Sequence, residues 1–263
     1  MPTLTQDFTQ PLDPRLAPFL IHGGMHEHTP DGLRLVAPPA ERGGYVNAQL
    51  DDYRPYRRRR EYPWSPPLTL TVRLRTSHPA GQMGGTYGVG FWNNPLTLTG
   101  GGILAAPSAT WFFGGSPPHN LYLAEGVPGH GWKAQSLDAG RWPGLIFAPM
   151  AAVGVTLFQV PGLGRPLMRI ARRMLGAQEA LLPDPTDWHD YRLVWRAEDV
   201  RFFVDDVAVL RAKSAPRGPL GLVIWVDNQF AVASETGKFQ FGVIANSEPR
   251  WLELAHLQIE SEG

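Results

Sequence analysis

Residues 188–206 read WHDYRLVWRAEDVRFFVDD, and this stretch decides the fold class. In its first half, Tyr191, Leu193 and Trp195 alternate with polar residues, so they share one side of an extended chain. The alternation resumes with the same period after a turn at residues 198–199. A period of two is typical of strands that bury one face. The stretch therefore predicts two neighbouring β-strands.

A hairpin and a third strand follow this pair. Asp205 and Asp206 end the second strand, and both tolerate the positive φ angles that a two-residue hairpin turn requires. Val207 and Val209 continue the alternation. A β-bulge is expected at residues 255–256, where the alternation of the last strand changes phase. The same patterns predict strands at residues 33–37, 46–50, 68–75, 86–94, 109–114, 220–229, 239–244 and 251–260.

The composition favours one all-β domain over residues 1–263. The chain has 29 Gly and 26 Pro beside 9 Trp and 12 Phe, which is typical of many short strands joined by turns. All-β sandwiches of roughly 200–250 residues commonly form a single domain. We therefore predict a two-sheet antiparallel jelly-roll sandwich.

The charge balance and the lack of cysteine exclude several classes of protein. Lys and Arg total 24 and Asp and Glu total 24, so bulk charge gives no attraction to nucleic acid. Without cysteine there is no disulfide framework and no thiol nucleophile. We expect no cofactor. The first ten residues show no secretory pattern, so we expect a cytoplasmic protein.

Residues 143–186 interrupt the strand pattern and predict an insertion with one helix. The first part is the most apolar stretch of the chain, and residues 165–180 have a helical period that Gly176 is expected to weaken or end. The insertion is interpreted as an end cap, as a lid over a hydrophobic pocket or as a membrane-surface anchor. The predicted apolar face consists of Leu167, Ile170, Ala171, Met174 and Leu175, opposite Arg165, Arg169, Arg172 and Arg173.

The run WHDYRLVW at residues 188–195, followed by VRFFVDD at 200–206, is similar to the late strands of family 16 glycoside hydrolases. The resemblance implies the concanavalin A-like lectin and glucanase fold. That family carries E-x-D-x-E or E-x-D-x-x-E on one strand, so that its carboxylates share the concave face. The strand expected there, ATWFFGG at residues 109–115, contains no acid. Because a retaining glycosidase needs two carboxyl groups about 5 Å apart, ordinary family 16 hydrolysis is not expected.

The leading candidate site is a cleft on the concave sheet. Two glycines, Gly88 and Gly90, leave room for a flat group to lie against the backbone. Aromatic rings beside amide and carboxyl groups suit a sugar or another ring-bearing ligand. The alternative is that the tryptophans belong to the core and the polar residues to turns. The predicted cleft residues are Trp92, Asn94, Trp111, Phe113, Trp225, Asp227 and Gln229.

Two other groups of residues, both of which contain histidine, are weaker candidates. His22, His26 and His28 have a spacing that suits zinc or copper, but a solvated loop is the simpler interpretation, so no metal site is predicted. Glu125, with His119 and His130, is a candidate acid or base in glycine-rich loops.

The arginine run at residues 57–60 suits a phosphate or an acidic partner, although a solvated edge strand explains it as well.

Because the cleft is the leading candidate site, the leading hypothesis is binding of a carbohydrate or a partly apolar small molecule. A second is an enzyme, a hydrolase, lyase or isomerase, that uses Asp227 or Glu125. A third is a structural or peripheral membrane protein acting through residues 143–186. The sequence alone leaves oligomeric state open.

Overall fold

A computed structural model describes residues 3–53, 58–94, 106–141 and 163–261 of the protein. The α-helix in this part of the chain is α1 (Gly164–Leu175), and there are short 3₁₀ helices at Arg59–Glu61, Ala80–Gln82 and Ala139–Arg141. The strands are β1 (Thr3–Asp7), β2 (Ala17–Ile21), β3 (Met25–Thr29), β4 (Gly32–Ala37), β5 (Asn47–Asp51), β6 (Leu68–Thr76), β7 (Thr86–Trp92), β8 (Ser108–Gly115), β9 (Asn120–Leu121), β10 (Gly131–Asp138), β11 (Gln178–Leu181), β12 (His189–Trp195), β13 (Val200–Val204), β14 (Val207–Ala212), β15 (Gly221–Asp227), β16 (Gln229–Ala233), β17 (Phe239–Val243) and β18 (Arg250–Ser261).

Two antiparallel sheets form the sandwich. The eight-stranded sheet has the order β14-β13-β12-β6-β18-β4-β3, with β1 paired to β18. The seven-stranded sheet has the order β11-β10-β8-β7-β15-β5-β2. A small sheet of β17, β16 and β9 adjoins them. The predicted all-β sandwich is thus confirmed.

The meander predicted from residues 188–206 is confirmed in detail. Tyr191 on β12 pairs with Val204 on β13. Asp205 and Asp206 form the turn with φ angles of 48° and 63°. The alternating apolar residues point inward, and Leu193 is fully buried. The bulge in β18 is also confirmed as a register shift between Leu254 and His256.

The main core fills the space between the two sheets. The central strands contribute the apolar half of their alternating patterns, for example Val72 and Leu74 from β6 and Val89 and Phe91 from β7. Burying this much apolar surface is the main driving force for folding. The opposite face of these strands is not part of the main core.

Several predicted boundaries are wrong. β15 ends at Asp227, and Gln229 begins β16, because the amide of Asn228 holds the chain in a turn by donating to the carbonyls of Gly44 and Ile244. The expected effect of Gly176 is confirmed, since the helix ends at Leu175 and Gly176 adopts a φ of 58° that lets the chain turn away.

The end of the predicted insertion belongs to the sandwich. Residues 178–180, which the helical period included, form β11 together with Leu181 at the edge of the seven-stranded sheet. On α1, Met168 and Met174 are buried, whereas Ile170 is 46% exposed, so the predicted apolar face is partly wrong. Residues 142–162 and Arg57 lie outside the described residues, and in the part of the chain that is described no helix is long and apolar enough to cross a membrane.

Candidate functional site

The outer face of the seven-stranded sheet carries a second hydrophobic cluster, separate from the main core. Its rings pack in series: the centroids of Trp111 lie 5.4 Å from Trp92, 5.4 Å from Phe113 and 5.3 Å from Trp225. We call Trp92, Trp111, Phe113 and Trp225 the aromatic cluster. Ala109, Leu137 and Val223 pack with it. The structure thus brings together the predicted aromatic residues of the cleft.

Two glycines of β7 form the floor under these rings. A Cβ atom on Gly88 would lie 2.7 Å from the Trp225 indole, and one on Gly90 would lie 2.5 Å from the Cα of Trp111. The flat group over Gly88 is therefore the indole of Trp225. Trp111, Phe113 and Trp225 are 7–8% exposed, whereas Trp92 is half-buried.

A buried polar chain ends on the aromatic cluster. The indole N–H of Trp111 donates to Oε1 of Gln135 at 2.5 Å, and Nε2 of Gln135 donates to Oε1 of Glu179. Nζ of Lys133 donates to Oε2 of Glu179 at 3.2 Å and to the carbonyl of Pro128 at 3.0 Å. Burial lowers the pKa of Lys133, while the adjacent Glu179 opposes that shift. These bonds fix the orientation of the Trp111 ring.

Sequence reasoning missed this polar chain, although part of the signal was present. Lys133 and Gln135 alternate with Trp132 and Ala134, which is the pattern of a strand with two different faces. Charged residues are rarely fully buried, so the polar residues of this pattern are normally interpreted as facing solvent. The partner that makes burial tolerable, Glu179, lies 44 residues away from Gln135 in the chain.

Asp227 lies at the end of β15 beside the aromatic cluster. Its Oδ1 accepts hydrogen bonds from Thr86 N–H at 3.1 Å, Thr86 Oγ1 at 2.8 Å and Gln229 N–H at 2.9 Å. The indole N–H of Trp225 donates to Thr86 Oγ1 at 3.1 Å. Burial raises the pKa of Asp227 to about 6, and these hydrogen bonds limit the rise.

Replacing Asp227 by Asn should change the pH dependence of stability. The folded protein holds the Asp227 proton more tightly than the unfolded chain, since the pKa rises from 3.8 to about 6. Its contribution to stability is therefore complete below pH 4 and is lost as the pH rises through 6. Relative to wild type, Asp227→Asn should gain up to about 3 kcal/mol between pH 4 and pH 7. Urea unfolding at several pH values measures this, with Asp206→Asn as an exposed control; parallel pH profiles for wild type and Asp227→Asn would contradict it.

The other predicted polar residues lie at strand ends and in turns. Gln229 is exposed on β16 and meets Asp227 only through its backbone N–H. Asn94 follows β7 with a φ of 44°, and its carbonyl accepts from Arg59 at 3.1 Å. Glu125 is exposed in the turn region between β9 and β10. Their functional roles stay predictions.

His119, by contrast, lies next to the aromatic cluster. Its ring centroid is 5.4 Å from that of Phe113, and a Cβ on Gly115 would lie 2.4 Å from its Cδ2. Only 2% of the residue is exposed. Burial, reinforced by the charges of Lys133 and His130, lowers the pKa of His119 to about 4, so the imidazole is neutral at pH 7.

Of the three histidines of the N-terminal region, His22 is exposed in the turn between β2 and β3, as the solvated-loop interpretation expected, whereas the other two are not in a loop. His26 and His28 lie on β3, and Nδ1 of His22 contacts the carbonyl of Tyr45 at 2.6 Å. Within residues 3–53, 58–94, 106–141 and 163–261, no group of His, Asp and Glu is placed to hold a metal. In the arginine run, Arg59 donates to the carbonyl of Asn93 at 2.9 Å, which ties this segment to the end of β7.

Comparisons with known proteins give matches at the level of structure alone. No family model and no curated protein matches the chain. A Crh5 transglycosylase in complex with NAG superposes with a TM-score of 0.53 at 13% identity, covering 99% of this chain and 84% of that one. An endo-β-galactosidase from Clostridium perfringens that releases GlcNAcα1-4Gal gives a TM-score of 0.56 at 10% identity, covering 97% of this chain and 60% of that one. The Bacillus licheniformis β-glucanase gives 0.52 at 11% identity, over 99% and 98%.

The chain has the concanavalin A-like lectin and glucanase fold. Within this concanavalin A-like sandwich, β8 is the strand for which the sequence resemblance implied catalytic carboxylates. Its outward side chains are those of Ala109, Trp111 and Phe113, which pack together in the aromatic cluster. β8 therefore offers an apolar surface where glycoside hydrolysis would need acids.

Proposed function

We propose that the protein is a binding protein whose ligand is a ring-bearing, partly apolar small molecule such as a carbohydrate derivative. The ligand lies at the outer face of the seven-stranded sheet, where Trp92 is the partly exposed ring of the aromatic cluster. The observation that carries the proposal is the aromatic cluster, a row of packed indole and phenyl rings on a sheet face that is not part of the main core.

The chemistry of this face supports a ligand with both apolar and polar parts. Rings offer large, rigid contact surfaces, and a few fixed polar groups set the orientation of a ligand. Here the polar groups are the Trp111–Gln135–Glu179–Lys133 chain on one side and Asp227 with Thr86 on another. The structural neighbours named above include a transglycosylase in complex with NAG and a β-glucanase, which agrees with a sugar-like ring.

A second candidate function is catalysis through Asp227. A pKa raised to about 6 by burial suits a general acid or base near neutral pH. The Oδ1 atom, however, already accepts three hydrogen bonds, which suits a structural role as well. If Asp227→Asn abolished an activity while its fold and ligand affinity stayed intact, the catalytic candidate would replace the binding one.

Intrinsic tryptophan fluorescence tests the proposal directly. The purified protein is titrated with cellotetraose, N-acetylchitotriose, octyl β-glucoside and the oxygen-free apolar probe N-phenyl-1-naphthylamine. Saturable changes with octyl β-glucoside, which joins a sugar ring to an apolar chain, are expected. A response to the pure oligosaccharides alone would assign the site to sugars. A flat response to all four probes would overturn the proposal.

The Trp92→Ala variant should bind octyl β-glucoside about three- to tenfold more weakly. Trp92 is the half-buried member of the aromatic cluster, so its truncation removes ring surface without opening the main core. Aromatic contacts of this kind contribute about 0.5–1.5 kcal/mol. Isothermal titration calorimetry measures the affinity. The matched control is Trp251→Ala, which removes a partly exposed indole from β18 in the other sheet; equal losses in the two variants would refute the assignment.

A further inference from the structure

His119 has a hydrogen-bond donor that nothing in the described chain satisfies. Nδ1 of its ring accepts the backbone N–H of Ala231 at 3.3 Å. In a neutral imidazole that acts as an acceptor at Nδ1, the proton is on Nε2. Nε2 is buried and has no hydrogen-bond partner among residues 3–53, 58–94, 106–141 and 163–261. An unsatisfied buried donor costs about 1–3 kcal/mol, so it calls for an explanation.

The position of this donor is set by the elements around it. The ring lies flat over Gly115 at the end of β8, with Phe113 of the aromatic cluster beside it and β16 behind it. The glycine is needed there, because any Cβ would collide with the imidazole. His119 thus forms one end of the face that we propose for the ligand.

The charges near His119 limit which kind of ligand atom can accept the hydrogen bond from Nε2. The imidazole is neutral, and the closest buried cation, Lys133, is paired with Glu179 and with the carbonyl of Pro128. The recorded contacts of the ring itself, Phe113, Gly115 and Ala231, carry no charge, and the Arg172 guanidinium lies against Tyr122 in the neighbouring groove. An uncharged oxygen accepts an N–H hydrogen bond without bringing a charge that would have to be desolvated.

A groove lies beside Asn120, the residue that follows His119. It has a volume of about 340 Å³, close to the lower limit for small-molecule sites, which is ~300 Å³. Asn120 lines it, and so does His130. The other residues that line it are Tyr122, Pro128, Gly129, Ser234, Glu235 and Thr236.

We propose that His119 is the polar anchor of the ligand site, and that its Nε2–H donates to a hydroxyl, ether or amide oxygen of the bound molecule. This inference rests on the proposed binding function and names the group that the ligand must present. The ligand's ring contacts the aromatic cluster, and its uncharged oxygen faces the end formed by His119 and the groove. His119 is then a specificity-determining residue, because molecules without such an oxygen leave the N–H unsatisfied.

Two substitutions separate the two nitrogens of the ring. His119→Asn places an amide oxygen near the Nδ1 position, so it keeps the acceptor for Ala231 but removes the distant donor. His119→Gln reaches further and restores a donor near the Nε2 position. We expect His119→Asn to weaken octyl β-glucoside binding at least tenfold and His119→Gln to weaken it less than threefold. Both should bind N-phenyl-1-naphthylamine, which has no oxygen, as wild type does.

The control is His256→Asn, an exposed histidine on β18 of the opposite sheet. Thermal unfolding of each variant verifies the fold before the titrations, and the ¹⁵N signal of Nε2 in wild-type protein should shift on addition of octyl β-glucoside. If wild type binds neither probe, the proposed function itself fails. If wild type binds both probes and His119→Asn binds both equally well, the anchor fails alone. An Nε2 signal that does not respond to bound octyl β-glucoside would show that the donor bonds only to water and would likewise overturn the anchor.

Discussion

Replacing Glu179 by Gln lowers the free energy of unfolding by about 3–5 kcal/mol. The side chains of Lys133 and Glu179 are 1% and 0% exposed, and their charges lie 3.2 Å apart. The substitution leaves the ammonium group buried without a counter-charge, and burial already lowers the pKa of Lys133. Urea unfolding followed by circular dichroism measures the loss.

The double variant Lys133→Met, Glu179→Leu is the informative control for this prediction. It removes both charges, so it should recover most of the stability that either single substitution loses. An exposed pair gives the opposite comparison: Asp206 is 91% exposed beside Arg192, and Asp206→Asn should cost less than about 1 kcal/mol. A loss below about 1 kcal/mol for Glu179→Gln would show that water reaches the Lys133 ammonium group.

Trp225→Ala should destabilise the protein by about 3–5 kcal/mol, a loss typical of a truncated core tryptophan. Its indole lies on Gly88, contacts Trp111 and Phe113, and donates to Thr86. Truncation therefore opens a cavity in the aromatic cluster and removes a hydrogen bond. Urea unfolding measures the change, and Trp225→Phe should lose less because a ring remains over the glycine.

Trp251→Ala is again the matched control. Trp251 is partly exposed on β18, and the Arg34 guanidinium lies 4.3 Å from its ring centroid. Its removal should cost no more than about 1–2 kcal/mol, the range of a cation–π contact. If Trp225→Ala and Trp251→Ala had equal effects, the aromatic cluster would not be a second core.

The eight-stranded sheet was predictable where one face meets water. In β12 and β13 the polar half of the alternation is partly or fully exposed, so a period of two is visible in the residue types. The Asp205–Asp206 turn and the bulge in β18 follow from equally local signals. The fold class could therefore be predicted from the sequence.

The seven-stranded sheet was harder, because most side chains of its central strands are buried on both faces. Every residue of β8 and β15 is buried, and β10 is buried except partly at Gly131. A strand without a solvated face gives a weak periodic signal, which is why β10 and β11 were missed and β15 was extended by two residues. Short edge strands such as β2 and β3 were missed because they are too short to show a clear alternating pattern.

The candidate site was predicted in its aromatic part and missed in its polar part. Trp92, Trp111, Phe113 and Trp225 share a face as their spacing indicated. The polar chain from Lys133 to Trp111 depends on pairing between β10 and β11, which no local pattern reveals. That residues 1–263 form one domain and that the protein is cytoplasmic stay predictions.

The polar chain also connects the helix to the aromatic cluster. β11 begins two residues after Gly176, the residue that ends α1, and it carries Glu179. Two hydrogen bonds lead from Glu179 through Gln135 to the Trp111 indole. A displacement of the C-terminal end of α1 that carries β11 with it must either move that indole or break one of these bonds, so the fluorescence of Trp111 is a built-in reporter of the position of the helix.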